Sequence, residues 1–220
     1  WRGEPHGKEN QRLSWQYPGA VAVTPLLPAN GPILRSLALP PVYAITHAAE
    51  LGVAPFLERL QAALEQGVKL IQVREKAMDA ATLRAFAAEV VRQSHAHGAR
   101  VVINGDAALA REVGADGVQL NSAQLMALTV RPEVELAGAS CHDRRELERA
   151  AELELDFALL SPVLPTLSHP GAPVLGWESF ACLAKDLPMP VYALGGVSRA
   201  DLDQAQQHGA HGIAMLRGAW

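Results

Sequence analysis

Lys69-Leu70-Ile71-Gln72-Val73-Arg74-Glu75-Lys76 decides how this chain is read. An apolar run of strand length that ends abruptly in charged residues suggests a buried strand whose C-terminal end meets solvent. The same unit recurs along the sequence. Candidate strands are Val42–Thr46, Lys69–Arg74, Arg100–Asn104, Gly117–Leu120, Leu136–Ser140, Phe157–Ser161, Val191–Leu194 and Gly212–Leu216, eight in all. Helical patterns alternate with them: Leu83, Phe86, Ala87, Val90 and Val91 fall on one face of a 3.6-residue period. Asp143 with Glu146, and Ser198 with Asp201, have capping-box spacing at the start of later helices. Gly114-Ala115-Asp116-Gly117 and Gly209-Ala210-His211-Gly212 punctuate equivalent helix-to-strand joints. Eight parallel strands joined by right-handed helical crossovers predict an α/β fold, a (β/α)₈ TIM barrel over residues 41–220. A doubly wound open sheet is the structural alternative, and Asn121–Pro132 reads as a weak helix.

Composition narrows the function classes. With 49% hydrophobic residues the chain can bury a large core, and its net charge of −4, without a Lys/Arg cluster, gives no reason to expect nucleic-acid binding. Pro and charged residues interrupt the longer apolar stretches, so no membrane span and no secretory signal are expected. Cys141 and Cys182 are the two cysteines, which suits a reducing, cytoplasmic setting. The chain begins with Trp1, which reads as a piece of a longer protein.

A TIM barrel carries its ligand site at the C-terminal ends of its strands. Arg74 and Lys76, Asn104, Gln119, His142, Thr166 and Ser168, and Gly195-Gly196 all fall there. Gly195 and Gly196 let backbone N–H groups approach a phosphate, and Ser198 opens the following helix, whose N-terminus favours anions. Arg74 and Lys76 are two residues apart and share a face with Gln72. Two cations at a barrel mouth call for an anionic ligand, or else for a salt bridge to Glu75 or Asp106. His142 is the candidate proton carrier, since an unperturbed imidazole titrates near neutrality. Cys141 precedes it and so faces the other way, as a buried and inert thiol. His95, His97, His208 and His211 lack ligand spacing, and no metal site is read from them.

Three ordered motifs carry a family resemblance: Gln72-Val73-Arg74-Glu75-Lys76, the loop Ser161-Pro162-Val163-Leu164-Pro165-Thr166 running on to Gly171, and Ala193-Leu194-Gly195-Gly196. With them, residues 41–220 resemble the thiamine phosphate synthase/TenI family. The resemblance implies a phosphorylated thiazole as ligand, bound by Gln72, Arg74, Lys76, Asn104, Gln119, Thr166, Ser168, Gly195, Gly196 and Ser198. A synthase of this family is expected to hold Mg²⁺ with carboxylates after the third and fourth strands, where this chain has Gly105 and Gln124. The loop lysine that would steady a diphosphate is His169. These departures are similar to the TenI branch, whose thiazole tautomerases move a proton without a metal, so no cofactor is expected. The alternatives are a Mg²⁺-dependent synthase that recruits Asp106 and Asp116, and a non-catalytic module that binds a phosphorylated ligand.

Residues 1–40 read differently. Trp1-Arg2-Gly3-Glu4-Pro5-His6-Gly7-Lys8-Glu9 is polar, and Leu26-Leu27-Pro28-Ala29-Asn30-Gly31-Pro32-Ile33 is a proline-punctuated turn into a short helix. The stretch resembles the C-terminal end of a MutT-type Nudix hydrolase, an 8-oxo-dGTP diphosphatase. That resemblance implies a purine contact at Asn30 and a Nudix domain of the same polypeptide as partner. The Glu-rich Nudix box is not in these residues.

Overall fold

The computed structural model describes residues 3–18, 20–166, 171 and 173–220. Eight parallel strands form a closed barrel in sequence order: β1 Val42–Ile45, β2 Leu70–Val73, β3 Arg100–Asn104, β4 Gly117–Leu120, β5 Leu136–Cys141, β6 Phe157–Leu160, β7 Val191–Leu194 and β8 Gly212–Met215. Closure comes from β1 pairing with β8, Tyr43 opposite Ala214, so the fold is a TIM barrel and not an open sheet. Every strand bound lies within one residue of the sequence expectation. Helix α1, Asn30–Leu37, precedes the barrel. Those around it are α2 Ala48–Leu51, α3 Val53–Glu65, α4 Ala80–Ala96, α5 Ala107–Val113, α6 Ser122–Ala127, α7 Arg144–Glu152, α8 Gly176–Ala184 and α9 Leu202–Gln207. No helix among the described residues is long and apolar enough to cross a membrane.

The two-residue period of the strands sorts their side chains into two cores. Outward residues such as Ile71, Val101, Ile103 and Val118 pack with Phe56, Leu60, Phe86, Val90 and Leu147 of the helices. Inward residues Tyr43, Leu70, Val102, Leu136, Phe157, Leu159 and Tyr192 fill the barrel. There the Tyr43 and Phe157 rings meet edge to face, with centroids 5.5 Å apart. Gly138 makes this packing feasible. A Cβ at that position would sit 2.4 Å from Phe157 and 2.7 Å from Gln119 Oε1.

Local signals explain the helix starts. Asp143 accepts from the Glu146 amide at 2.9 Å, and Ser198 and Asp201 form a complete capping box. The weak segment after β4 is helical over α6 because Asn121 and Gln124 also make a capping box. Chain contacts divide the protein into units 1–38 and 39–220, two residues before the expected boundary. Leu39 is buried in the barrel interior, and the Pro40 carbonyl accepts from the Tyr192 hydroxyl at 2.6 Å. In the N-terminal unit α1 has no buried residue, and Trp15, Tyr17, Leu27 and Ile33 are exposed.

Candidate active site

The C-terminal ends of the strands surround a cavity of about 560 Å³. Gln72, Arg74, Lys76, Asn104, His142, Thr166, Gly195 and Gly196 all line it, so most of the residues picked from sequence converge on one site. Asn121, Ser122, Ser140 and Arg217 line it too and were not anticipated. Two of these carried a readable signal. Ser140 lies on β5 two residues before His142, which follows the strand, and Arg217 follows β8 much as Arg74 follows β2.

Arg74 and Lys76 point to the cavity because Glu75 between them is turned the other way. Its buried carboxylate accepts from the Ala48 and Ala49 amides at 2.7 and 3.0 Å, where a negative charge suits the start of α2. The Arg74 amide donates to Thr46 Oγ1 at 2.9 Å, fixing the chain as it leaves β2. Glu75 is therefore no counter-ion for its neighbours. Asp106 caps α5 by accepting from the Leu109 amide at 2.8 Å. The rim salt bridge weighed from sequence does not form among the described residues, and Arg74 and Lys76 remain cations without a carboxylate partner. Arg217 differs, since Glu50 grips its guanidinium through two hydrogen bonds, one of them 2.9 Å long.

His142 is set by its neighbours. Its amide donates to Glu146 Oε2 at 2.7 Å, and the other oxygen of that carboxylate accepts from the Ser122 hydroxyl. The ring Nδ1 lies 2.9 Å from the Ser161 carbonyl oxygen and 3.5 Å from the Ser161 hydroxyl. A carbonyl can only accept, so the shorter contact assigns the neutral ring's proton to Nδ1. Nε2 is then the basic nitrogen of a ring that lines the cavity. Cys141 is buried, and burial, reinforced by the charges of Glu146 and Asp143, pushes its thiol well above the ordinary range.

The glycine turn combines a left-handed backbone with tight packing. Gly195 and Gly196 have φ of +99° and +67°, which side chains other than glycine rarely adopt. A Cβ on Gly196 would lie 2.3 Å from the Pro165 carbonyl oxygen, and one on Gly195 would lie 2.9 Å from Pro162. The loop after β6 thus rests directly on the turn after β7, and both face the cavity.

Three expectations need correction. Ser198 does not line the cavity; its amide and hydroxyl both donate to Asp201 Oδ2 at 2.8 Å, so capping uses them up. Gln119 lies beneath the cavity floor with no exposed surface, bonded to Tyr43 and Ser140. Asp116 precedes β4 at the opposite end of the barrel, where its carboxylate accepts from the Val101 amide at 2.6 Å and contacts His95. It cannot join Asp106 at the mouth. Ser168 and His169 lie outside the described residues.

The synthase branch implies Mg²⁺, and the donor set here does not fit it. No carboxylate lines the cavity among the described residues, nor do three or more acidic, His or Cys side chains cluster to hold a metal ion. The two positions expected to carry metal ligands are instead joined to each other. Gln124 Nε2 donates to the Gly105 carbonyl at 2.7 Å, while its Oε1 accepts from the Asn121 amide at 3.1 Å. Gly105 has φ of +73° and leaves room for that carboxamide.

Comparison with known proteins agrees with the fold and the motifs. The family described as thiamine monophosphate synthase matches residues 42–219. A putative thiamine-phosphate synthase of Geobacter sulfurreducens is 36% identical over 180 residues, 80% of this chain and 84% of that protein. The thiamine-phosphate synthase of Chromobacterium violaceum is 35% identical over 161 residues, 71% and 77% of the two chains. The solved structure of a thiamine phosphate pyrophosphorylase from Pyrococcus furiosus superposes with a TM-score of 0.67 at 25% identity, covering 80% of this chain and 84% of that one. Motifs, barrel and relatives converge, and the chain belongs to the thiamine monophosphate synthase/TenI family.

Proposed function

We propose that the barrel binds a phosphorylated thiazole carboxylate and moves a proton on its ring without a metal. The observation that carries this reading is the composition of the cavity wall. His142 offers a basic Nε2, and among the described residues Arg74 and Lys76 have no carboxylate partner and no carboxylate lines the cavity to hold Mg²⁺. In this scheme the ligand phosphate sits at Gly195-Gly196, and Arg74, Lys76 and Asn104 meet its carboxylate. His142 takes a proton from one ring position while the electron pair shifts within the ring, and the proton returns at another, so the reaction is an isomerisation. Synthase chemistry would need the charge of a departing pyrophosphate neutralised.

The second reading is a Mg²⁺-dependent thiamine phosphate synthase, favoured by the names of the Geobacter and Chromobacterium relatives. An NMR time course with thiazole phosphate carboxylate in D₂O and EDTA separates the two. Conversion to the aromatic tautomer at catalytic protein levels supports the isomerase, and its loss in His142→Ala assigns the proton carrier. No conversion in EDTA, with thiamine phosphate formed once Mg²⁺ and the pyrimidine diphosphate are added, would reverse the choice. For the N-terminal unit, the Nudix reading and the purine contact at Asn30 rest on the sequence resemblance, since the family match begins at Val42.

A further inference from the structure

One chain of buried hydrogen bonds crosses the barrel beneath the cavity. Asn104 Nδ2 donates to Gln72 Oε1 at 3.0 Å, and Gln72 Nε2 donates to the Tyr43 hydroxyl at 3.0 Å. That hydroxyl donates to Gln119 Oε1 at 3.2 Å, and Gln119 Nε2 donates to Ser140 Oγ at 3.2 Å. Asn104 and Ser140, the two ends, line the cavity; Tyr43 and Gln119 are fully buried. We propose that Tyr43 is a positioning residue whose hydroxyl joins the two halves of this chain and so ties the hydrogen-bonding polarity of Asn104 to that of Ser140.

The argument is one of donor and acceptor counting. A carboxamide has a donating end and an accepting end, and within the chain Gln72 and Gln119 each use both. Placed between these two carboxamides, the Tyr43 hydroxyl accepts from one and donates to the other. With the bonds running from Asn104 to Ser140, the serine oxygen accepts, its proton is left for the cavity, and the Asn104 carbonyl oxygen is left as an acceptor. Were every amide turned over, Ser140 would offer a lone pair and Asn104 an N–H. Either way Asn104 and Ser140 turn opposite hydrogen-bonding ends toward the chain, and turning one alone breaks a bond while Tyr43 links them.

Three further observations fit this role. Burial holds the Tyr43 phenol well above its ordinary pKa, so the proton it must donate is retained. Tyr192, the neighbouring buried tyrosine, donates instead to the Pro40 carbonyl and takes no part in the chain. Ser140 sits two residues before His142 on β5, which puts the fixed polarity beside the proton carrier. This consequence for catalysis rests on the proton-transfer reading; the wiring does not.

Side-chain amide NMR of the ligand-free chain tests the wiring directly. Ser140→Ala removes the last acceptor, and the Gln119, Gln72 and Asn104 NH₂ signals are all expected to move. In a Tyr43→Phe background the same substitution should move Gln119 and leave Gln72 and Asn104 in place. Tyr192→Phe, which removes a buried hydroxyl outside the chain, should preserve the full response. If Asn104 does not respond to Ser140→Ala with Tyr43 present, or still responds when Tyr43 is Phe, the proposal is overturned. Should Tyr43→Phe fail to fold, the response in the native and Tyr192→Phe backgrounds decides. In the tautomer assay, Tyr43→Phe is expected to lower kcat about tenfold with KM little changed. A native chain that turns over no thiazole while the NMR coupling holds would refute the proton-transfer reading and leave the wiring standing.

Discussion

Gly196→Ala and Gly209→Ala form a matched pair that tests whether the Gly195-Gly196 turn is packed as described. Both glycines have positive φ, +67° and +85°. A Cβ at Gly209 meets nothing within 4 Å, whereas one at Gly196 meets the Pro165 carbonyl oxygen at 2.3 Å and Leu164 Cβ at 2.8 Å. Gly209→Ala should therefore cost only the left-handed backbone penalty, about 1–2 kcal/mol. Gly196→Ala carries the same penalty plus the overlap. To regain an ordinary 3.4 Å contact the Pro165 carbonyl must retreat by 1.1 Å, which moves backbone rather than a flexible side chain. Overpacking of that kind adds roughly 1–3 kcal/mol. At about 2–4 °C per kcal/mol for a domain of this size, Tm should fall by about 2–8 °C for Gly209→Ala and about 4–20 °C for Gly196→Ala. Calorimetric titration with inorganic phosphate supplies the functional half: Gly196→Ala should weaken binding about tenfold, or 1.4 kcal/mol, and Gly209→Ala should leave it unchanged. Equal losses of Tm in both variants, with phosphate affinity intact in Gly196→Ala, would refute the contact between the two loops.

Other outcomes follow from single groups. A thiol reagent at mildly alkaline pH should label the exposed Cys182 alone, with Cys141 reacting only after denaturation, because burial raises its thiol pKa. Two fast-reacting thiols in the native protein would contradict the placement of Cys141. His47 is buried with an unpartnered Nδ1, and desolvation lowers its pKa despite Glu50 and Glu75, with Arg217 and Arg59 adding to the shift. Below about pH 6.5 the unfolded chain then binds the proton more readily than the folded one, so stability is lost as pH falls. Urea midpoints measured across this range should show a slope that His47→Gln reduces; an unchanged slope would remove His47 as its source. Replacing Arg74 and Lys76 together by Gln should weaken phosphate or carboxylate binding by at least about tenfold without lowering Tm, since neither side chain has a carboxylate partner among the described residues. A fall in Tm would mean that they serve structure instead.

Much of the site was legible because a parallel barrel converts strand order into position. Once Leu70–Val73 and its counterparts were read as strands, the residues following each had to meet at one rim, and Arg74, Lys76, Asn104 and His142 do. The errors concern facing and competition, which strand order does not encode. Gln119 points inward, but one level too low, where Gly138 opens the space that its amide occupies. Ser198 lies at the rim yet is consumed by Asp201. Glu75 resembled a counter-ion in sequence, and only the fold reveals the α2 amides that claim it. Leu39 and Pro40 went to the wrong side of the boundary because their contacts, with the barrel interior and Tyr192, are remote in sequence.

The departure from the synthase pattern gains weight from how its two residues meet. A carboxylate lost by itself at one position would leave an unfilled gap or a stray polar group. Here the residue at 124 satisfies the Gly105 carbonyl and the Asn121 amide with opposite ends of one carboxamide, and its backbone amide donates to the Asn121 side chain that caps α6. An aspartate at 124 could not donate to that carbonyl, and its charge would face the oxygen at close range. A Cβ at 105 would press to 3.3 Å on Gln124 Oε1 and force a side chain into a left-handed backbone. Neither position can take a carboxylate singly without losing these contacts, so the neutral pair is a built part of this rim. The cavity is closed there by a hydrogen bond and is open elsewhere to Arg74 and Lys76.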